Sequence, residues 1–220
     1  MLNPRAWLAE AIATFALVFF GPLSVTMAAA IFGATLTIEG IIMISIGHGA
    51  AIGIMIYAFG HISGAHFNPA VPIAFLIHGD INKKEALYYI MIQIMAGIAA
   101  SATLLCLFGN VATLGATLPS GSWSQSFLLE FILTFFLMMV IFGSAVHGKA
   151  VKSFAAIAIG ATVGLEAMFA GPICGASMNP ARSIGPALVS GTTQHLWVYI
   201  VATILGAGCA ALIYKILHEK

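Results

Sequence analysis

Residues 63–71 read SGAHFNPAV and residues 174–182 read CGASMNPAR. Their cores, Asn68, Pro69 and Ala70 in the first and Asn179, Pro180 and Ala181 in the second, stand 111 residues apart. The same offset carries Gly49 and Gly53 onto Gly160 and Gly164, Gly64 onto Gly175, and Gly97 onto Gly208. Glu10 with Thr14 and Phe15 is likewise echoed by Glu130 with Thr134 and Phe135. A motif copied together with its surroundings marks a duplicated unit. The chain therefore reads as a single domain, 1–220, made of one repeat over about 6–108 and a second over about 124–217.

Composition names the solvent of that unit. Apolar residues make up 61% and charged residues 7%, and the mean hydropathy is +1.06, far outside the range of soluble domains. Crossing about 30 Å of hydrocarbon takes about 20 apolar residues. Six stretches qualify, at about 6–30, 41–60, 86–108, 124–146, 154–170 and 196–217. The first is too long, and too similar to the fourth, to be a cleaved signal peptide. Arg5, Lys83, Lys84, Lys149, Lys152, Lys215 and Lys220 all fall at one set of span ends, while connections 31–40 and 109–123 hold no Lys or Arg. Because flanking cations stay on the inside, both termini are expected in the cytoplasm, with the plasma membrane as the host bilayer. So little chain lies beyond the spans that no long regulatory tail is expected. The remaining cation, Arg182, breaks the pattern by standing directly after the second motif.

Three spans per half is an odd number, so the second half is threaded upside down relative to the first. The two motifs then enter from opposite faces. Asn is a strong helix cap and Pro suits the first helical position, so Pro69 and Pro180 are expected to start helices. The apolar segments 69–78 and 180–189 are about ten residues long, or roughly 15 Å, which is half a bilayer. Two such half-helices meet with their N-termini facing, each bearing about half a positive charge. Non-helical backbone, expected at 61–68 and 171–179, must be buried in protein or line water, because lipid cannot satisfy its carbonyls. The expected fold is an all-α membrane protein of six transmembrane helices plus two re-entrant half-helices, an inverted internal repeat. Gly49 with Gly53 and Gly160 with Gly164 are GxxxG steps, read as helix packing.

The duplicated Asn-Pro-Ala motifs, the six spans and the paired glutamates resemble the aquaporin and glycerol-facilitator (major intrinsic protein) family across essentially the whole chain. The resemblance implies that Asn68 and Asn179 donate side-chain amides to a molecule in a pore. It further implies that the carbonyls of Gly64, Ala65, His66 and Phe67, and of Gly175, Ala176 and Ser177, form a ladder of acceptors. Glu10 and Glu130 then brace the re-entrant loops by accepting backbone hydrogen bonds. Positive helix ends oppose a passing cation, and a water giving its lone pairs to both asparagines cannot relay a proton. The implied function is a passive channel for water and small uncharged solutes, excluding protons and ions, in a homotetramer with one pore per subunit.

In the family, four positions form an outer constriction: twenty residues before the first Asn, twelve and three before the second, and three after it. Here these are His48, Ala167, Ala176 and Arg182. A fixed cation with several donors binds a solute oxygen and repels cations, which accounts for Arg182; a salt bridge to Glu166 is its structural alternative. His48 read alone is a packed imidazole with a backbone partner, and its spacing from Asn68 favours the pore. Small Ala167 and Ala176 imply a ring wider than the water-only type and less apolar than the glycerol type. The wording FAGPICGASMNPARSIGPAL, LPSGSWSQSF and WVYIV is closest to the nodulin-like intrinsic protein branch, which passes glycerol, urea, ammonia or metalloid acids besides water. His48 departs from the Trp frequent there. Ser183 and Ala187 lean toward water channels, whereas Tyr199 and Ile200 lean toward the nodulin-like branch. A largely water-selective aquaporin is the alternative.

A different class of protein also fits inverted repeats: a proton-coupled secondary transporter with Glu166 and His48 as the relay. A membrane scaffold with an occluded pore is a third option. No enzyme is expected, since no nucleophile elbow or phosphate loop appears. Cofactors and metals are not expected either, because no His or Cys has ligand partners at useful spacing. Basic clusters for nucleic acid are absent. Cys106 and Cys209 read as packing thiols. Cys174, five residues before Asn179, is expected to face the pore closely enough for partial block by a mercurial.

Overall fold

A computed structural model describes residues 3–33 and 35–218. Lys220, counted above among the cations, lies outside them. The described chain holds eight α-helices: α1 Pro4–Phe32, α2 Ile38–Ser63, α3 Ala70–His78, α4 Lys83–Phe108, α5 Trp123–Ile141, α6 Ala155–Cys174, α7 Pro180–Ser190 and α8 Leu196–His218. A π turn, Phe142–Val146, prolongs α5, and a 3₁₀ turn, Lys152–Phe154, leads into α6. All except α3 and α7 are long and apolar enough to cross a membrane.

Polar caps set the boundaries. Asn3, Thr37, Asn82 and Ser122 each accept a backbone N–H from the first turn of α1, α2, α4 and α5, satisfying donors a helix start leaves open. The spans consequently run a few residues beyond their apolar stretches. Two expected non-helical segments are shorter than the sequence suggested. Helix persists to Ser63 and to Cys174, carrying Pro172 within its last turn, and stops only where Gly64 (φ +85°) and Gly175 (φ +88°) turn left-handed. Left-handed backbone is open to glycine without a Cβ clash.

The two halves repeat one packing scheme. Helix α1 packs on α2 and α4 as α5 packs on α6 and α8, and α2 meets α6 at the seam between halves. Each half-helix crosses over: α3 lies on α8, and α7 lies on α4. Glycine makes these approaches possible. A Cβ on Gly49 would stand 2.6 Å from the Gly160 carbonyl oxygen, and one on Gly160 would stand 2.7 Å from that of Gly49. A Cβ on Gly97 would stand 2.8 Å from the Ala181 carbonyl oxygen, so this glycine seats α7. Its mate Gly208 faces Ile77 of α3. Large apolar side chains point outward, Phe169 at 69% and Ile216 at 72% exposure, as a lipid solvent permits and water does not. Polar and acidic residues, Glu10, Gln93, Asn68, Glu130 and Asn179 among them, are buried at the centre.

Candidate functional site

Between each descending span and its half-helix the backbone takes the same path twice. After Gly64, Ala65 (φ +57°) and Phe67 (φ +49°) are left-handed; after Gly175, so are Ala176 (φ +42°) and Met178 (φ +54°). Each such non-glycine residue costs about 1–2 kcal/mol. Buried carboxylates hold the strained turns. Glu10 accepts from the His66 N–H at 3.0 Å, the Phe67 N–H at 2.8 Å, the Ser63 hydroxyl at 2.7 Å and the Gln93 amide at 2.7 Å. Glu130 accepts from the Ser177 N–H at 2.8 Å and the Met178 N–H at 2.9 Å.

The loops carry Asn68 and Asn179 to the tips of α3 and α7. Each Oδ1 caps its own helix, accepting the Ala70 N–H at 2.9 Å in the first and the Ala181 N–H at 2.9 Å in the second. That leaves each Nδ2 aimed across the junction. Asn68 donates to the Met178 carbonyl at 2.8 Å, and Asn179 donates to the Phe67 carbonyl at 3.0 Å. The two half-helix tips are therefore crossed and tied at the centre of the molecule. An amide nitrogen has two N–H donors, so one on each asparagine stays available. The Phe67 carbonyl receives Asn179 with one of its two lone pairs, leaving the other for the expected acceptor ladder. The carbonyls of Gly64, Ala65, His66, Gly175, Ala176 and Ser177 accept no hydrogen bond among the described residues.

Arg182, only 3% exposed, sits two residues inside the start of α7. Its guanidinium donates to the Gly115 carbonyl at 2.6 Å and to His48 Nε2 at 3.2 Å. His48 can accept there because its Nδ1 lies 3.0 Å from the Ile44 carbonyl and carries the ring proton. Gly21 clears space for the ring; a Cβ there would stand 2.8 Å from His48 Cδ2. Two cavities meet at Arg182. The outer one, about 180 Å³, is lined by Ala167, Gly115, Gly175 and apolar side chains including Ile41 and Ile44. The inner one, about 20 Å³, is lined by His48, Ala176, Asn68, Asn179 and apolar residues including Leu17 and Val163. A volume of that size accepts about one water. The structure thus gathers His48, Ala176 and Arg182 on one cavity and Ala167 on its neighbour.

The segment 109–122 supplies contacts that sequence reading missed. Ala112, Thr113 and Leu114 form a left-handed turn leading to Gly115 (φ +69°), which packs on Pro22. Thr117 bonds Ser183 at 2.7 Å, and Ser183 bonds Ser177. Two expectations are corrected here. Glu166 is buried, lines neither cavity and makes no ion pair with Arg182, and no hydrogen bond links it to His48 among the described residues. Cys174 is fully buried, bonded to the Ala170 carbonyl and the Ala176 N–H, and also lines neither cavity. Helix α6 continues through Cys174 and turns the thiol into the core.

A family model described as Major intrinsic protein matches residues 1–214. The chain belongs to the major intrinsic protein family. Aquaporin NIP1-1 of Zea mays is 43% identical over 212 residues, covering 96% of this chain and 74% of that relative. Nodulin-26 of Glycine max is 42% identical over 211 residues, covering 96% and 76%. Among solved structures, the aquaglyceroporin from Plasmodium falciparum superposes with a TM-score of 0.81 at 25% identity, covering 96% of this chain and 95% of that one. This major intrinsic protein therefore has the aquaporin fold, and its sequence lies with the nodulin-like relatives.

Proposed function

We propose that this major intrinsic protein is a passive channel for water and small uncharged solutes of the glycerol, urea, ammonia or metalloid-acid class. The observation that carries this reading is the crossed pair of asparagine amides at two abutting helix N-termini, with unpartnered carbonyls on both sides. A water reaching the junction gives its lone pairs to the free N–H of Asn68 and of Asn179. Its hydrogens then point outward, toward the carbonyls of His66 on one side and Ser177 on the other. Each further water repeats its neighbour's orientation, opposite in the two halves, so no proton wire crosses the centre. About half a positive charge at each helix end, together with Arg182, opposes cations.

Selectivity belongs at the ring of His48, Ala167, Ala176 and Arg182. The guanidinium presents donors to a solute oxygen, and Ile41 and Ile44 offer an apolar flank for carbon or the uncharged face of a weak acid. Glu10 and Glu130 fix the loops without touching solute. We further infer one channel domain of two repeats, about 6–108 and about 124–217, assembled as a homotetramer. Both termini face the cytoplasm, in the plasma membrane. The test is stopped-flow light scattering of proteoliposomes challenged with sucrose, then glycerol, urea and ammonium. Water flux and at least one solute flux well above protein-free vesicles are expected; fluxes at the lipid level for every challenge would overturn the proposal.

A further inference from the structure

Helix α1 lays a stripe along the passage. Leu17 lines the inner cavity and Val25 the outer one. Gly21 stands one turn from each, on the same face of the helix. Position 21 is thus the level at which the two cavities meet, and α1 presents no side chain there. The His48 imidazole takes up that space. A Cβ on Gly21 would stand 2.8 Å from His48 Cδ2 and 2.9 Å from Nε2, the nitrogen that accepts from Arg182. The next residue, Pro22, backs the other acceptor. A Cβ on Gly115, whose carbonyl takes the guanidinium at 2.6 Å, would stand 3.1 Å from Pro22 Cα. Both groups that hold Arg182 therefore lean on consecutive residues of α1.

The ring is held where it lies. Its Nδ1 is bonded to the Ile44 carbonyl at 3.0 Å and its Nε2 to Arg182 at 3.2 Å, so neither nitrogen is free. Helix α1 gives no more easily, packed as it is on α2 and α4. A methyl at position 21 would need the ring to retreat by about 0.7 Å to reach an ordinary contact of about 3.5 Å. A ring moved off α1 has the inner cavity to move into, and that cavity is about 20 Å³, room for about one water. Solutes wider than water lose their passage first. We propose that Gly21 is a positioning residue for solute selectivity: by carrying no side chain it lets His48 lie back against α1, and the width left beside Arg182 admits uncharged solutes larger than water. This rests on the channel reading above. Gly21 acts through the imidazole and touches no solute.

Gly21→Ala in proteoliposomes tests this, with glycerol and urea flux read relative to water flux. The ratio should fall about tenfold against wild type, the effect of a barrier raised by about 1.4 kcal/mol. His48→Ala removes the ring, so adding Gly21→Ala to it should leave the ratio of His48→Ala as it was. Thermal unfolding runs the same cycle without transport. Gly21→Ala should lower the unfolding temperature of wild type and not that of His48→Ala. Wild type without any flux would overturn the channel reading, and the unfolding cycle would still test the contact. If Gly21→Ala alone is not recovered folded, the double variant should be, its clash being gone. An unchanged or raised ratio in Gly21→Ala, or the same fall in the His48→Ala background, would overturn the proposal. So would an equal loss of unfolding temperature in both backgrounds, failure of both variants to fold, or a wild type that passes water and neither solute.

Discussion

The two re-entrant loops share a backbone path and differ in what fastens them. The first hangs from Glu10, which gathers two loop N–H groups, the Ser63 hydroxyl and Gln93 of α4. The second hangs from Glu130 by two loop N–H groups, beside the Cys174 thiol at the end of α6, and further ties run outward to the segment 109–122. Three of the four positions we propose for the constriction, Ala167, Ala176 and Arg182, belong to the second half. A loop secured within the bundle makes an anchor. A loop hitched to an outer segment can be retuned through that segment, and the groups we propose to sort solutes collect there.

The largest effect should fall on the anchor. Glu10→Ala strands four buried donors, each costing about 1–3 kcal/mol, against a total stability of about 5–15 kcal/mol. Folded protein should scarcely survive extraction, as size-exclusion recovery and thermal unfolding would show. Glu130→Ala strands two N–H donors and loses the Cys174 thiol contact, and should fall less far. Equal losses would break the comparison. Next in size, Arg182→Val should raise glycerol and urea permeability relative to water by about tenfold, the effect of lowering a barrier by about 1.4 kcal/mol. Proteoliposome flux ratios measure it, and an unchanged ratio would place sorting elsewhere. A smaller shift in the same direction is expected for Gly115→Ala. Its φ of +69° and a Cβ 3.1 Å from Pro22 displace the carbonyl that holds Arg182, with a stability loss of about 1–2 kcal/mol.

Sequence showed the scaffold because its signals are local. Six apolar runs and the paired motifs with their Asn caps each declare themselves within a few residues. Arg182 stood out by violating the charge pattern, and its guanidinium does meet His48. What stayed hidden depends on backbone groups and on which way a helix face turns. Gly115 acts through a carbonyl, a group every residue owns, and the left-handed turn before it is built from Ala112, Thr113 and Leu114, none of which favours that conformation. The cross-junction acceptors, Phe67 and Met178, are hidden for the same reason. Cys174 was placed near the pore by counting from Asn179; α6 runs longer than expected and rotates the thiol inward.

Two finer cuts sharpen the contrast between loops. Ser183→Ala breaks the hydroxyl chain from Thr117 to Ser177 and should cost about 1 kcal/mol, read as a small fall in unfolding temperature. Among the described residues the loop held by Glu10 has no comparable outward tie. Smallest of all is the response to a mercurial, since buried Cys174 should leave water flux unchanged over the assay. Rapid block that Cys174→Ser abolishes would contradict the observed packing of α6.

The central claim is that two helix tips, crossed through Asn68 and Asn179, pass uncharged molecules in file and stop protons. Osmotic shrinkage and an internal pH dye, recorded on one batch of proteoliposomes under an imposed pH gradient, address it directly. Water permeability far above empty vesicles with proton flux at the empty-vesicle level is the predicted result. Proton flux that rises in step with the amount of reconstituted protein would contradict it.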